Sequence, residues 1–235
     1  MKNYRTELLN YHDSIQGREP IEWANFWYDH SNEKLDNRIL LIGDSSLRMI
    51  RSTLANVYQG AVDFFGTSSG LHDELFIAQL EAFFSTRSYT YNYIFVQLGH
   101  HSRIGDCGKT YSDEDYLKFD EDYRVLVSYL QQYSEMIILN SIFYSVHAYK
   151  MKIQQKLKIL LRIKDKYDDD INFIKEKKNK IIKKVADDNQ VLWLDINQAM
   201  IQTKYLHYDH IHYENKAKKC IVSLMLKKIE MEALR

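Results

Sequence analysis

Five short apolar runs, each followed by a longer amphipathic stretch, constrain this chain more than any other feature of its sequence. Residues 38–42, 62–65, 93–98, 136–142 and 191–196 are rich in β-branched or aromatic side chains and bounded by polar or Gly-containing segments, which predicts strands. Helical spacing of apolar residues recurs at about 46–58, 71–85, 115–133, 197–203 and 214–233, the last with Ile221, Leu224 and Ile229 on one face. A parallel strand reaches its neighbour only through a crossover, and a helix is the usual one. The alternation therefore predicts an α/β fold: a three-layer α/β/α sandwich around a five-stranded, mainly parallel sheet. At 235 residues, one domain spanning 1–235 is expected, with enough chain to bury a substantial core.

Two segments fall outside this rhythm. The N-terminal extension, 1–37, contains "IEWANFWYDH", in which Trp23, Phe26 and Trp27 are spaced for one helical face. A helix packed across an edge of the sheet is expected there, with lining of a substrate site as the alternative use of its aromatic rings. Residues 150–189 are charge-rich, lack Pro and Gly, and read as one or two helices inserted before the last strand. Ile171, Phe173, Ile174, Ile181 and Ile182 are expected to cover the sheet while the lysines face water. A lid, a dimer contact or a patch for an anionic ligand are the other uses of such a segment.

Charge narrows the choice of partners. Lys+Arg and Asp+Glu are equal at 32 each, so no overall basic field draws the chain to nucleic acid or anionic lipid. The aromatic content of 13 %, with 18 Tyr, exceeds what a disordered chain carries. Cys107 and Cys220 have neither the number nor the spacing of a disulfide framework or zinc site, although a single bridge stays open. The first residues lack the apolar core of a signal peptide, and no window approaches the roughly 18 apolar residues of a membrane span. A cytoplasmic location is the expectation.

The chemistry starts at "RILLIGDSSLR". In an open α/β sheet the ligand crevice lies off the carboxyl ends of the strands, and Ser45 follows the first of them directly. Gly43 allows a sharp exit from the strand. The helix that begins near Ser46 aims its unpaired N–H groups and positive dipole end at the same place, where developing negative charge would be stabilised. Helix capping by Asp44, Ser45 or Ser46 explains the residues equally well at this stage. A serine hydroxyl becomes a useful nucleophile only when a base takes its proton and a third group orients that base. "YLHYDHIHYENK" supplies both candidates, Asp209 and His212, in the loop before the final helix.

The order of Ser followed late in the chain by Asp-x-x-His resembles the SGNH or GDSL superfamily of esterases and acyltransferases, whose fold is flavodoxin-like. Four blocks carry the resemblance: "IGDSSLR" with Ser45, "FFGTSSGL" with Gly70, "VQLGHHS" with His101, and "DHIH" with Asp209 and His212. The resemblance implies Ser45 as nucleophile, His212 as general base and Asp209 as its orienting carboxylate. It also implies an oxyanion hole built from Ser45, Gly70 and the third block. That block departs from the family's Gly-x-Asn-Asp: His101 stands where Asn is usual, and a neutral imidazole N–H donates much as an amide does. The Gly-Asp-Ser-x-x-Arg form with Arg48, and Tyr213 after the histidine, look most like the PC-esterase or trichome-birefringence-like branch, which adds or removes acyl groups on glycans. Arg48, Asp44, His100 and His210 are the substrate-orienting candidates.

The function these features imply is O-acyl ester hydrolysis, with acetyl on a carbohydrate as the expected substrate and no cofactor. O-acetyl transfer to a glycan from an acetyl donor uses the same residues. A catalytically inactive binding protein of the same fold is the third reading. His207, Asp209, His210 and His212 would also suit zinc or iron, but a metal site would leave the serine blocks unexplained, so no metal is expected. Nucleotide binding lacks both G-x-G-x-x-G and G-x-x-x-x-G-K-[ST].

Overall fold

The computed structural model describes residues 23–71, 73–101, 111–144, 168–203 and 212–234. They form a six-stranded sheet of β1 (Ala24–Trp27), β2 (Arg38–Gly43), β3 (Ala61–Thr67), β4 (Tyr93–Gln97), β5 (Ile137–Asn140) and β6 (Leu192–Leu194). The spatial order is β1-β3-β2-β4-β5-β6, with every neighbouring pair parallel except β1 with β3. Around it lie α1 (Ser45–Ala55), α2 (Glu74–Thr86), α3 (Asp113–Leu130), α4 (Asp168–Asp188), α5 (Ile196–Thr203) and α6 (Asn215–Ala233).

β2 and β3 are buried along their whole length because helices cover both faces, which is why they read as continuous apolar runs. On one face Phe76 and Phe83 of α2, Phe119 and Tyr123 of α3, and Ile182 of α4 pack on Leu40, Ile42, Val96 and Leu139. On the other, Leu47 of α1, Ile196 of α5 and Ile221 of α6 pack on Ile39, Leu41, Phe95 and Ile138. This is the expected three-layer α/β/α sandwich, with one strand more than expected. Among the described residues no helix is long and apolar enough to cross a membrane.

The sixth strand corrects the reading of the N-terminal segment. The Trp23–Trp27 stretch lies at the sheet edge, as expected, but as a strand rather than a helix. Phe26 sits 5.7 Å from Phe65 and 5.6 Å from Phe83 on one face, whereas Trp27 receives the Arg51 guanidinium at 4.3 Å on the other. Over so few residues helical spacing and strand alternation are both satisfied by the same aromatic positions, and the unpaired edge of β3 decides between them. Residues 1–22 lie outside the described residues.

The insertion needs a second correction. α4 does cover the sheet with Ile182, and Ile174 and Ile181 are half-buried, but Phe173 is 58 % exposed. Lys175 and Lys178, expected to face water, are only 5 % and 2 % exposed. Residues 150–167 and the side chain of Ile171 lie outside the described part.

Candidate active site

The sharpest constraint at the site is the exit from β2. A Cβ on Gly43 would meet the Gln97 carbonyl oxygen and the Leu47 Cβ, each at 2.9 Å, so the strand can leave between its neighbours only with glycine there. Asp44 then caps α1: its Oδ1 accepts from the Ser46 N–H at 2.8 Å. The capping role is therefore filled by Asp44, and Ser45 becomes the first residue of α1 with its hydroxyl turned elsewhere. That hydroxyl lies 2.8 Å from Nε2 of His212, 167 residues away in sequence.

His212 is brought there by packing. α6, which starts three residues later, lies alongside α1 in the same layer, where Ala217, Ile221 and Val222 share a core with Leu47, Ile50 and Leu54. Both helices begin at the carboxyl edge of the sheet, so the residues at their N-termini meet above it. Tyr213 is buried edge-to-face against Phe143, ring centroids 4.8 Å apart, which anchors the loop beside His212. With the imidazole proton on Nδ1, Nε2 accepts the Ser45 O–H, the arrangement that deprotonates a nucleophile. Asp209, His207 and His210 lie outside the described residues.

The remaining oxyanion candidates come off the strands that flank β2. Gly66, Gly43 and Gln97 lie side by side in the sheet register. Gly70 follows β3 and is buried; its carbonyl accepts from the Asp73 N–H at 2.9 Å, and Asp73 in turn caps α2. His72 lies outside the described residues. His101 follows β4 and is half-buried. Its charge, when protonated, favours the Asp44 carboxylate, which places the two groups near each other.

His100, one of the substrate-orienting candidates, does not lie open to solvent. It is buried against Phe143, ring centroids 6.4 Å apart, and its Nε2 has no hydrogen-bond partner. Burial above all, then the nearby Lys175 and His101, hold its pKa well below the ordinary histidine value, so the ring is neutral at physiological pH. Asp44 is only 2 % exposed and its Oδ2 is unpartnered. Burial pushes its carboxyl pKa up, opposed by His101, the Ser46 N–H and Lys175. Arg48 is exposed one turn beyond Ser45, with its guanidinium 5.3 Å from the Trp23 ring.

Three buried polar side chains that sequence reasoning did not single out tie down this edge of the sheet. The Tyr123 hydroxyl accepts from the Leu98 N–H at 3.2 Å and donates to the Leu98 carbonyl at 3.1 Å. Lys178 donates to the Gly99 carbonyl at 2.9 Å. Asn179 accepts from the Ile142 N–H at 2.7 Å and donates to the Ile142 carbonyl at 3.1 Å. A signal for Lys178 was present: Lys175, Lys178, Ile182 and Val185 fall on one helical stripe whose lower part is wholly apolar.

A hydroxyl held on an imidazole at the carboxyl edge of a parallel sheet, at the first turn of a helix whose N-terminal N–H groups have no partner within it, suits attack on a carbonyl carbon. Solved structures share the architecture. A GDSL-like lipase from Bacteroides thetaiotaomicron superposes with a TM-score of 0.60 over 98 % of this chain and 98 % of that one, at 12 % identity. The fold is that of the SGNH, or GDSL, hydrolases. The acetylxylan esterase Axe2 from Geobacillus stearothermophilus has a TM-score of 0.56 at 14 % identity, covering 82 % of this chain and 94 % of its own. The acetyl xylan esterase AlAXEase has a TM-score of 0.53 at 15 % identity, covering 82 % and 99 %. No protein-family model matches the chain, and no curated protein matches it. At these identities the likeness is one of SGNH fold, and the chemistry rests on the site.

Proposed function

We propose that the protein is a serine-dependent O-acyl esterase that removes an acyl group, acetyl first among them, from a carbohydrate ester. The observation that carries the proposal is the 2.8 Å hydrogen bond between Ser45 Oγ and His212 Nε2. The SGNH fold supports it, and the acetylxylan esterases among its structural neighbours favour a sugar ester.

Ser45 Oγ attacks the ester carbonyl while His212 takes its proton, and Asp209 is assigned to hold the imidazole with its proton on Nδ1. The negative oxygen of the tetrahedral intermediate is received by the N–H groups of Ser45 and Gly70 and by the His101 ring. The Ser45 N–H suits this role because, at the first turn of α1, it has no partner within the helix. Collapse breaks the C–O bond to the sugar, His212 returns the proton to the departing alcohol, and an acyl-Ser45 ester remains. Water, deprotonated by His212, repeats the cycle and releases the carboxylic acid. Arg48 is the exposed cation nearest along the chain to the nucleophile and is assigned to a polar group of the substrate. A sugar hydroxyl in place of water would complete an acyl transfer.

The test is hydrolysis of an aryl acetate and of acetylated xylo-oligosaccharides, with product identified by mass spectrometry and Ser45 challenged by a fluorophosphonate probe. Ser45→Ala is expected to lower kcat by on the order of 10⁴-fold or more and to abolish labelling, with the thermal midpoint retained. Equal activity in the variant would refute the nucleophile. Failure of the wild-type protein both to turn over and to label would leave a binding protein of SGNH fold.

A further inference from the structure

We infer that Lys178, delivered by the inserted helix α4, is a positioning residue for the oxyanion donor His101. The inference rests on the esterase reading and goes beyond it, since it makes the insertion part of the catalytic apparatus.

β6 begins at the amino edge of the sheet, so α4, which leads into it, has its C-terminal end at that edge and its N-terminal half at the edge where Ser45 lies. Lys178 reaches the level at which β4 ends. There its Nζ donates to the Gly99 carbonyl at 2.9 Å and stands 4.5 Å from the Tyr111 ring and 5.3 Å from the Phe119 ring. An ammonium is expensive to bury, and a methionine would fill the same space without that cost. The position therefore calls for the donor head, and its acceptor lies two residues before His101.

Gly99 is where the turn is weakest. Its φ of +122° is open only to glycine, and a Cβ would stand 2.6 Å from Ile142 Cδ1 and 3.2 Å from Phe119 Cζ. Glycine makes the turn reachable, but it also gives the peptide the greatest freedom to leave that conformation. An oxyanion donor contributes only if it is held within about 0.5 Å of its working position. The residues on either side of the Gly99 carbonyl are already fixed, Leu98 by Tyr123 and His100 by its buried contact with Phe143. Lys178 supplies the clamp between them. A hydrogen bond from a charged donor is about twice as strong as a neutral one, so the Gly99 carbonyl is held firmly at the point of greatest freedom.

The experiment is a double-mutant cycle on the full chain with Lys178→Met and His101→Ala, measuring kcat, KM and thermal midpoint on an aryl acetate. His101→Ala alone is expected to cost on the order of 10²-fold in kcat. Lys178→Met alone is expected to cost about 10- to 100-fold in kcat with KM within about twofold, and less than about threefold when His101 is already alanine. Lys178→Arg, which keeps a charged donor, is expected to recover part of the loss. A kcat within about threefold of wild type in Lys178→Met, or an undiminished loss in the His101→Ala background, overturns the inference. If Lys178→Met does not fold, Lys178→Gln is read in the same cycle by the same two criteria. Turnover that Ser45→Ala abolishes, together with additive Lys178 and His101 losses, sinks only this inference; turnover that Ser45→Ala leaves unchanged sinks the esterase reading first.

Discussion

Replacing Tyr123 by Phe isolates one oxygen atom on which the end of β4 depends. The side chain is fully buried on α3, and its hydroxyl serves both the N–H and the carbonyl of Leu98, itself buried just past the last residue of the strand. Phenylalanine keeps the ring and creates no cavity, so the whole effect is the loss of two partners for buried backbone groups. Each orphaned group costs about 1–3 kcal/mol, and partial relaxation brings the expected sum to about 2–4 kcal/mol. For a chain of 235 residues that corresponds to a fall in thermal midpoint of about 5–15 °C, at roughly 2–4 °C per kcal/mol. Urea unfolding measures it directly, with an unchanged m-value expected because the surface exposed on unfolding is the same. A loss under about 0.5 kcal/mol would show that Leu98 finds other partners and that the turn does not depend on Tyr123. Below the unfolding transition, kcat should also fall, because the His100–His101 turn begins at the residue that Tyr123 holds.

Asp44→Asn should raise stability at neutral pH. Burial is the main cause raising the Asp44 pKa above its ordinary 3.8, so the carboxyl's contribution is fully present below that value and is lost as pH rises through the folded-state pKa. Asparagine keeps the Oδ1 cap on Ser46 without the charge; a gain of about 2–4 °C in thermal midpoint at pH 7, shrinking toward pH 4, is expected, and a lower midpoint at pH 7 would refute the assignment. Exhaustive chelation followed by the aryl acetate assay separates serine chemistry from the His207, Asp209, His210 and His212 metal reading. Turnover should stay within about twofold, whereas a loss restored by zinc would refute the serine mechanism.

What the sequence made legible follows from where each residue sits. The interior strands were readable because burial on both faces leaves them apolar throughout, as in "RILLIG" of β2. β1 was not, since four residues are too few to separate a period of 2 from one of 3.6 and its partner, the free edge of β3, is a tertiary fact. Ser45 and His212 could be paired from sequence because a serine directly after a strand lies at the carboxyl edge of the sheet and needs a base, which the late Asp-x-x-His supplies. Lys178 was missed for the opposite reason. Lysine on a charged helix is ordinarily a solvated residue, and only its place on the Ile182–Val185 stripe argued otherwise.

The strand order explains why these groups converge. β2 lies between β3 and β4; the chain leaves β2 through α1 on one face and β4 through α3 on the other, so the two connections diverge and open a crevice at the point where the order reverses. Ser45 stands in that crevice, with Gly70 and His101 coming from the strands on either side. On the proposed reading the base and the clamp arrive from different layers. His212 comes with α6 from the layer of α1, and Lys178 comes with α4 from the layer of α3. On the proposed reading a loosened α4 would disturb the oxyanion side of the site while leaving the Ser45–His212 pair intact, so its loss would appear in kcat, and in slower phosphonylation of Ser45, with KM nearly unchanged.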